Sequence, residues 1–220
     1  MKYGSCAILS VTVAILVSSQ SMHAQELDVR KAKAAASQAL MNAKQLHLAL
    51  FEFESDYGSF PSEATRENVE KAKGAKLPAD DKTSNAMLRQ LFAAGIIEDE
   101  KLFFAAIAGA KEGDDVVDKE KALAKGENAF TYIAGLSTAG NPSRPLLLCP
   151  VIPGTTKFDT KPFGGKALVV CVDGSARMLK IEDDGRVLYA DGDLLSKTHP
   201  LWTGLKGELD IRYPDLPAKE

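Results

Sequence analysis

Histidine, cysteine and tryptophan are all scarce in this chain of 220 residues, which has three, three and one of them. Cys6, Cys149 and Cys171 stand far apart and show none of the paired spacing that zinc sites use. A glycine-rich phosphate loop is missing. Gly135-Leu-Ser-Thr-Ala-Gly140 has one residue too many for a Gly-x-Ser-x-Gly nucleophile elbow. Beyond residue 24, only His47 and His199 are available as its base. No pair of acids stands out as a glycosidase pair. Basic residues do not interleave with aromatics in a patch and the net charge is −3, which disfavours nucleic acid as a partner. Asn141-Pro-Ser143 is no glycosylation acceptor, because proline fills its middle position. No catalytic, cofactor or metal residue can be nominated, and the chain reads as non-enzymatic.

Long apolar runs are missing as well. The most compact, from Cys6 to Val17, is too short for a comfortable membrane span. Lys2 precedes it, and Ser18-Ser19-Gln20-Ser21 and Met22-His23-Ala24 follow. That is the order of a secretory signal peptide, so residues 1–24 are expected to be one. Cleavage is expected after Ala24, or after Ser21, since Met22 is larger than the small residue preferred at its position. An uncleaved anchor is the competing reading. The protein is therefore expected to be exported, periplasmic or secreted, and membrane-anchored if the segment stays. Outside the cytoplasm Cys149 and Cys171 can pair. Both fall in apolar, strand-like runs, so a bridge between neighbouring strands and two buried free thiols are both open.

What the chain does have is one strong helical pattern, over 27–57. At 100° per residue, Val29, Ala32, Ala36, Ala39, Leu40, Ala43, Leu46, His47, Leu50, Phe51, Phe53 and Tyr57 share one broad face. Glu54 breaks the pattern and is expected at its edge. Alanines dominate the first half and large side chains the second, so the second half is expected to dock on a sheet. Gly58 and Pro61 end the helix. His47 lies at the rim of the stripe, where packing is its expected role.

Residues 62–128 read as a helical and loop insertion. Ser62 or Thr65 caps a short helix, and Ser84 is expected to cap another over 85–94, ended by Gly95. Residues 77–81 form a loop, 101–108 a short apolar helix or turn, and 111–125 a solvated charged loop. From 129 the period shifts to that of strands. Strands are expected at 130–134, 145–149, 167–172, 176–181 and 186–190. Asp173-Gly174 predicts a type I′ hairpin turn with both residues at positive φ. Residues 191–220 read as a tail holding Trp202. The fold class is α+β, a single domain over 25–220. Its long N-terminal helix packs on an antiparallel sheet, with short extra helices.

The segment from Asn42-Ala-Lys-Gln-Leu-His to Asp56-Tyr-Gly-Ser-Phe-Pro61 resembles the region after the apolar helix of type IV pilin-like and type II secretion pseudopilin-like proteins. Phe163-Gly-Gly-Lys-Ala-Leu-Val-Val-Cys-Val-Asp-Gly174 is similar to their late hairpin, and 84–94 and 141–161 look like a subgroup labelled type II secretion system protein. The likeness covers most of 30–190. It implies a pilin-like fold and protein partners in the cell envelope, in a secretion or pilus-like apparatus, or self-association. The other reading is a soluble periplasmic module that binds a glycan or metal on a pilin-like fold. The prepilin peptidase motif Gly-Phe-Thr-Leu-Ile-Glu is missing, and Phe163 stands where a related group has histidine. The major pseudopilin binds calcium in a C-terminal loop. Asp183, Asp184, Asp191 and Asp193 are acids of that region here, in a spacing that also suits turn acids.

Overall fold

The computed structural model describes residues 7–74, 76–78, 82–118, 121–190, 192–205 and 207–218, with side chains from Gln25 onward. Residues 1–6 of the expected signal peptide therefore lie outside the described residues, and 7–24 are described as backbone only. No helix among the described residues is long and apolar enough to cross a membrane.

Helix α1 runs from Ala7 to Tyr57, about 77 Å at 1.5 Å per residue. Its second half docks as expected. Ala39, Ala43, Leu46, His47, Leu50 and Phe53 are buried, and α1 lies against β3 (Lys166–Cys171) and the 3-10 turn Glu100–Phe103. From Gln25 to Gln38 no side chain is buried. Two residues assigned to the stripe are instead on the outside: Val29 is 67% exposed and Phe51 is 51% exposed. Val29 precedes the docked segment, and Phe51 sits about 100° round the helix from Leu50. Glu54 is buried rather than at the edge, and its Oε1 accepts the Thr138 N–H at 2.7 Å. Gly58, at φ +81°, closes the helix by donating its N–H to Glu54 O. The Tyr132 hydroxyl then donates to Pro61 O at 2.7 Å and ties the exit to the sheet.

Helix α2 (Glu63–Lys73) carries the expected Ser62 cap, reinforced by Thr65. Helix α3 (Ser84–Ala94) is capped by Thr83, not Ser84. Ser84 is drawn elsewhere, because its hydroxyl donates to Phe130 O at 2.8 Å. Of the expected element at 101–108 only the 3-10 turn Glu100–Phe103 forms.

Strands β1 (Thr131–Ala134), β2 (Pro145–Cys149), β3 and β4 (Ala176–Lys180) make the expected antiparallel meander. The run at 186–190 does not extend it. Its β5 (Leu188–Tyr189) pairs locally with β6 (Gly192–Asp193). The fifth strand is β7 (Asp210–Arg212), from the expected tail, and it pairs antiparallel with β1, giving the order β4-β3-β2-β1-β7.

The β3–β4 turn differs from the expected type I′. Of its central residues only Gly174 has positive φ, +77°. The Gly174 N–H donates to Cys171 O and the Cys171 N–H to Ser175 O, which makes a three-residue connection ending in a left-handed glycine. A Cβ on Gly174 would approach the His47 ring to 2.9 Å. Gly174→Ala is therefore expected to cost about 1–3 kcal/mol from the backbone alone, with more from the displaced imidazole. Urea denaturation reads this, and a neutral result would mean that the turn does not seat on His47.

β1, β2 and all but the first residue of β3 are buried. Successive strand residues point to opposite faces, so both faces of the sheet centre are covered. Val169 and Cys171 line one small gap with Tyr189 and Leu194, on the face away from α1. The C-terminal segment is that second cover. Leu194, Leu195, Leu201 and Trp202 are buried in it, and the Trp202 Nε1–H donates to Leu194 O at 3.0 Å. Arg144 fastens it from the sheet side, donating to Leu201 O and Thr203 O, each at 2.8 Å.

Candidate functional site

Both histidines turn out to be packing residues. His47 Nε2 lies 3.0 Å from Val172 O under the hairpin turn. In His199, Nδ1 accepts the Leu201 N–H and Nε2 lies 2.8 Å from Tyr189 O. Each ring is engaged by backbone. The Ser137 carbonyl accepts the Gly140 N–H, so 137–140 is an ordinary turn.

Among the described residues, Cys149 and Cys171 are free buried thiols. Register explains why: Cys149 is opposite Leu168 and Cys171 opposite Pro145. Along β3 the two positions are three residues apart, roughly 10 Å, beyond the Cα reach of about 7 Å for a disulfide. Burial pushes the Cys149 thiol well above its ordinary range, so it stays protonated and inert.

The acids of 183–193 behave as turn residues. Asp184 accepts the Arg186 N–H at 3.1 Å and pairs with the Arg186 guanidinium at 2.6 Å, which holds its carboxyl below the usual range. Asp193 accepts the Leu195 N–H, and Asp191 lies outside the described residues. Among the described residues the carboxylates that gather are others: Glu100, Asp114 and Glu127, each with an oxygen within 4.8 Å of the other two. Glu100 and Glu127 are completely buried, and Asp114 is exposed. Glu100 Oε1 accepts the Leu123 N–H and Glu127 Oε2 the Ala124 N–H, each at 2.7 Å. Burial first, then the Glu127 and Asp114 charges, push the Glu100 carboxyl above its ordinary range, against the opposing Leu123 N–H. The 111–125 stretch is largely exposed as expected, Asp114 included, with Ala122 and Leu123 buried. Acids at 100, 114 and 127 follow no regular spacing, and only the path of the loop brings them together.

A second feature lies on α1. Leu27, Ala34, Met41 and Leu48 recur every seven residues, and all are exposed. Met41 and Leu48 sit about 180° from the sheet-facing line of Ala39, Leu46 and Leu50, at 100° per residue. Leu48 is 68% exposed and Met41 63%.

No family model, curated protein or solved structure matches this chain.

Proposed function

We propose that this is an exported, non-enzymatic, pilin-like protein of the cell envelope that works by protein–protein contact, in association with a type II secretion-like apparatus. The observation that carries the reading is the division of labour along α1. One continuous helix spends its second half on the sheet and leaves 25–38 without a buried side chain. The outward line of Leu27, Ala34, Met41 and Leu48 keeps a seven-residue period, which is what one helix offers to another. A single exposed leucine would need no explanation. A repeat of four positions on an otherwise polar face is better explained by a partner.

Site-specific photo-crosslinking in the cell tests this. A crosslinker at Leu48 or Met41 is expected to give defined protein adducts, while one at the exposed Glu67 on α2 gives none. Adducts at all three positions, or at none, would sink the reading. Leu48→Glu should remove the adduct formed at Met41 and change stability by no more than about 0.5 kcal/mol, as for an exposed site. Mass spectrometry of the same material reads the N-terminus. A start near Gln25 marks a released domain, and retention of 1–24 with membrane fractionation marks an anchored one.

A further inference from the structure

Glu100 and Glu127 come from different parts of the chain. Glu100 opens the 3-10 turn, and Glu127 closes the irregular stretch that follows it. Each gives one carboxylate oxygen to a backbone N–H; of the other two, Glu100 Oε2 is buried without a hydrogen bond, while Glu127 Oε1 meets only the Lys111 ammonium. Gly113 lies directly over Glu100. A Cβ there would fall 2.3 Å from Glu100 Cβ and 3.1 Å from Oε2, so the free oxygen faces the segment that carries Asp114. The nearest cation to Glu127 is Lys111 Nζ, 3.0 Å from Oε1, on a side chain that is 56% exposed. Lys101 is engaged elsewhere, with Asp115 at 3.1 Å.

Two buried carboxylates side by side are costly unless something positive sits between them. One half-exposed lysine faces three acids. Three oxygens within 4.8 Å of each other fit a single coordination sphere, because calcium–oxygen bonds of about 2.4 Å put ligands no further apart than about 4.8 Å. The donors are all oxygen, with no thiol or imidazole among them, which favours a hard cation over zinc or copper. Asp114 is exposed, so waters can complete the shell. Calcium suits this uneven set better than magnesium, which demands near-octahedral geometry.

We infer that Glu100, Asp114 and Glu127 form a calcium site that clamps the segments around Asp114 and Glu127 onto the Glu100–Phe103 turn. The clamp reaches α1, because Asn42 Nδ2 donates to Lys101 O at 3.0 Å and to Phe104 O at 2.9 Å, on that same turn. On binding, Lys111 gives up Glu127 Oε1 to the ion and swings into solvent. The site is separate from the 183–193 acids and does not depend on the outer face of α1.

Calorimetry and thermal melts of the purified protein, stripped with chelator and titrated with CaCl2 or MgCl2, test this. One calcium per chain is expected, with a Tm that climbs with the logarithm of calcium concentration, as for a ligand of the folded state. Asp114→Asn is exposed and should fold normally, with affinity lower by about ten-fold or more. Glu127→Gln should abolish binding, and Lys111→Met, which removes the competing ammonium, should strengthen it several-fold. Should Glu127→Gln fail to fold, Asp114→Asn and Lys111→Met still decide. No heat and no Tm change up to roughly 10 mM calcium, above the range of weak extracellular sites, would overturn the inference. So would a calcium response that Asp114→Asn and Lys111→Met leave unchanged, since the ion would then bind elsewhere.

Discussion

Phe53→Ala is expected to remove about 3–5 kcal/mol of stability, enough to leave many domains largely unfolded at physiological temperature. Phe53 is fully buried and stacks on Tyr57 with ring centroids 4.6 Å apart. It extends the Leu46–Leu50 line that holds α1 to the sheet. Because 25–38 contributes no fully buried side chain, the docked half of the helix supplies most of the attachment, and a cavity there is only weakly offset by the partly buried Ala35 and Ala36. Phe51→Ala is the control, two residues away and 51% exposed, with an expected loss below about 1 kcal/mol. Paired urea titrations read the difference. Equal losses at 51 and 53 would mean that the helix docks in another register.

Asn85→Ala is expected to cost about 3 kcal/mol and to loosen two segments far apart in sequence. The side chain is buried on α3. Its Nδ2 donates to Leu123 O at 2.9 Å and Ala124 O at 3.2 Å, and its Oδ1 accepts the Asp215 N–H at 2.9 Å. Asn128 Nδ2 also reaches Oδ1, at 3.3 Å. Each buried partner left unsatisfied costs about 1–3 kcal/mol. Water can reach the partners that are only part-buried, which keeps the total below the sum. Asn85→Asp should cost at least as much, because it sets a buried carboxylate oxygen against the Leu123 and Ala124 carbonyls. Hydrogen exchange in Asn85→Ala should accelerate at the Asp215 amide, which loses its acceptor. A loss under about 1 kcal/mol, or exchange unchanged at Asp215, would show that the C-terminal segment is held by other contacts.

The two substitutions probe parts of the protein that differ in how readable they were. The docked half of α1 could be read directly. Alanines followed by Leu46, Leu50 and Phe53 at helical spacing, then Gly58 and Pro61, define a helix, its buried line and its end from neighbours a few residues apart. The α2 cap, the α3 stop and the four meander strands were legible for the same reason. The Asn85 hub was not, because its partners lie between 38 and 130 residues away and no local pattern encodes such distances. Thr83 displaced Ser84 as the α3 cap for a similar reason, since Phe130 O claims the Ser84 hydroxyl.

The acidic cluster shows the limit most clearly. Nothing in the spacing of 100, 114 and 127 marks them, and one of the three, Asp114, belongs to a stretch whose charge suggested solvent. Burial of Glu100 and Glu127 follows from the loop folding back over the 3-10 turn, with Gly113 permitting the close approach.

By itself, then, the sequence determined the α+β class, the helix that docks through Leu46–Phe53, the meander and the lack of a known catalytic motif, because each rests on short-range periodicity and on glycine or proline stops. Tertiary structure alone decided that 192–205 covers the second sheet face and 210–212 adds β7, that Cys149 and Cys171 stand out of register for a bridge, and that three carboxylates gather within 4.8 Å. Those outcomes depend on which distant segments exclude water from one another, and local pattern does not carry that information.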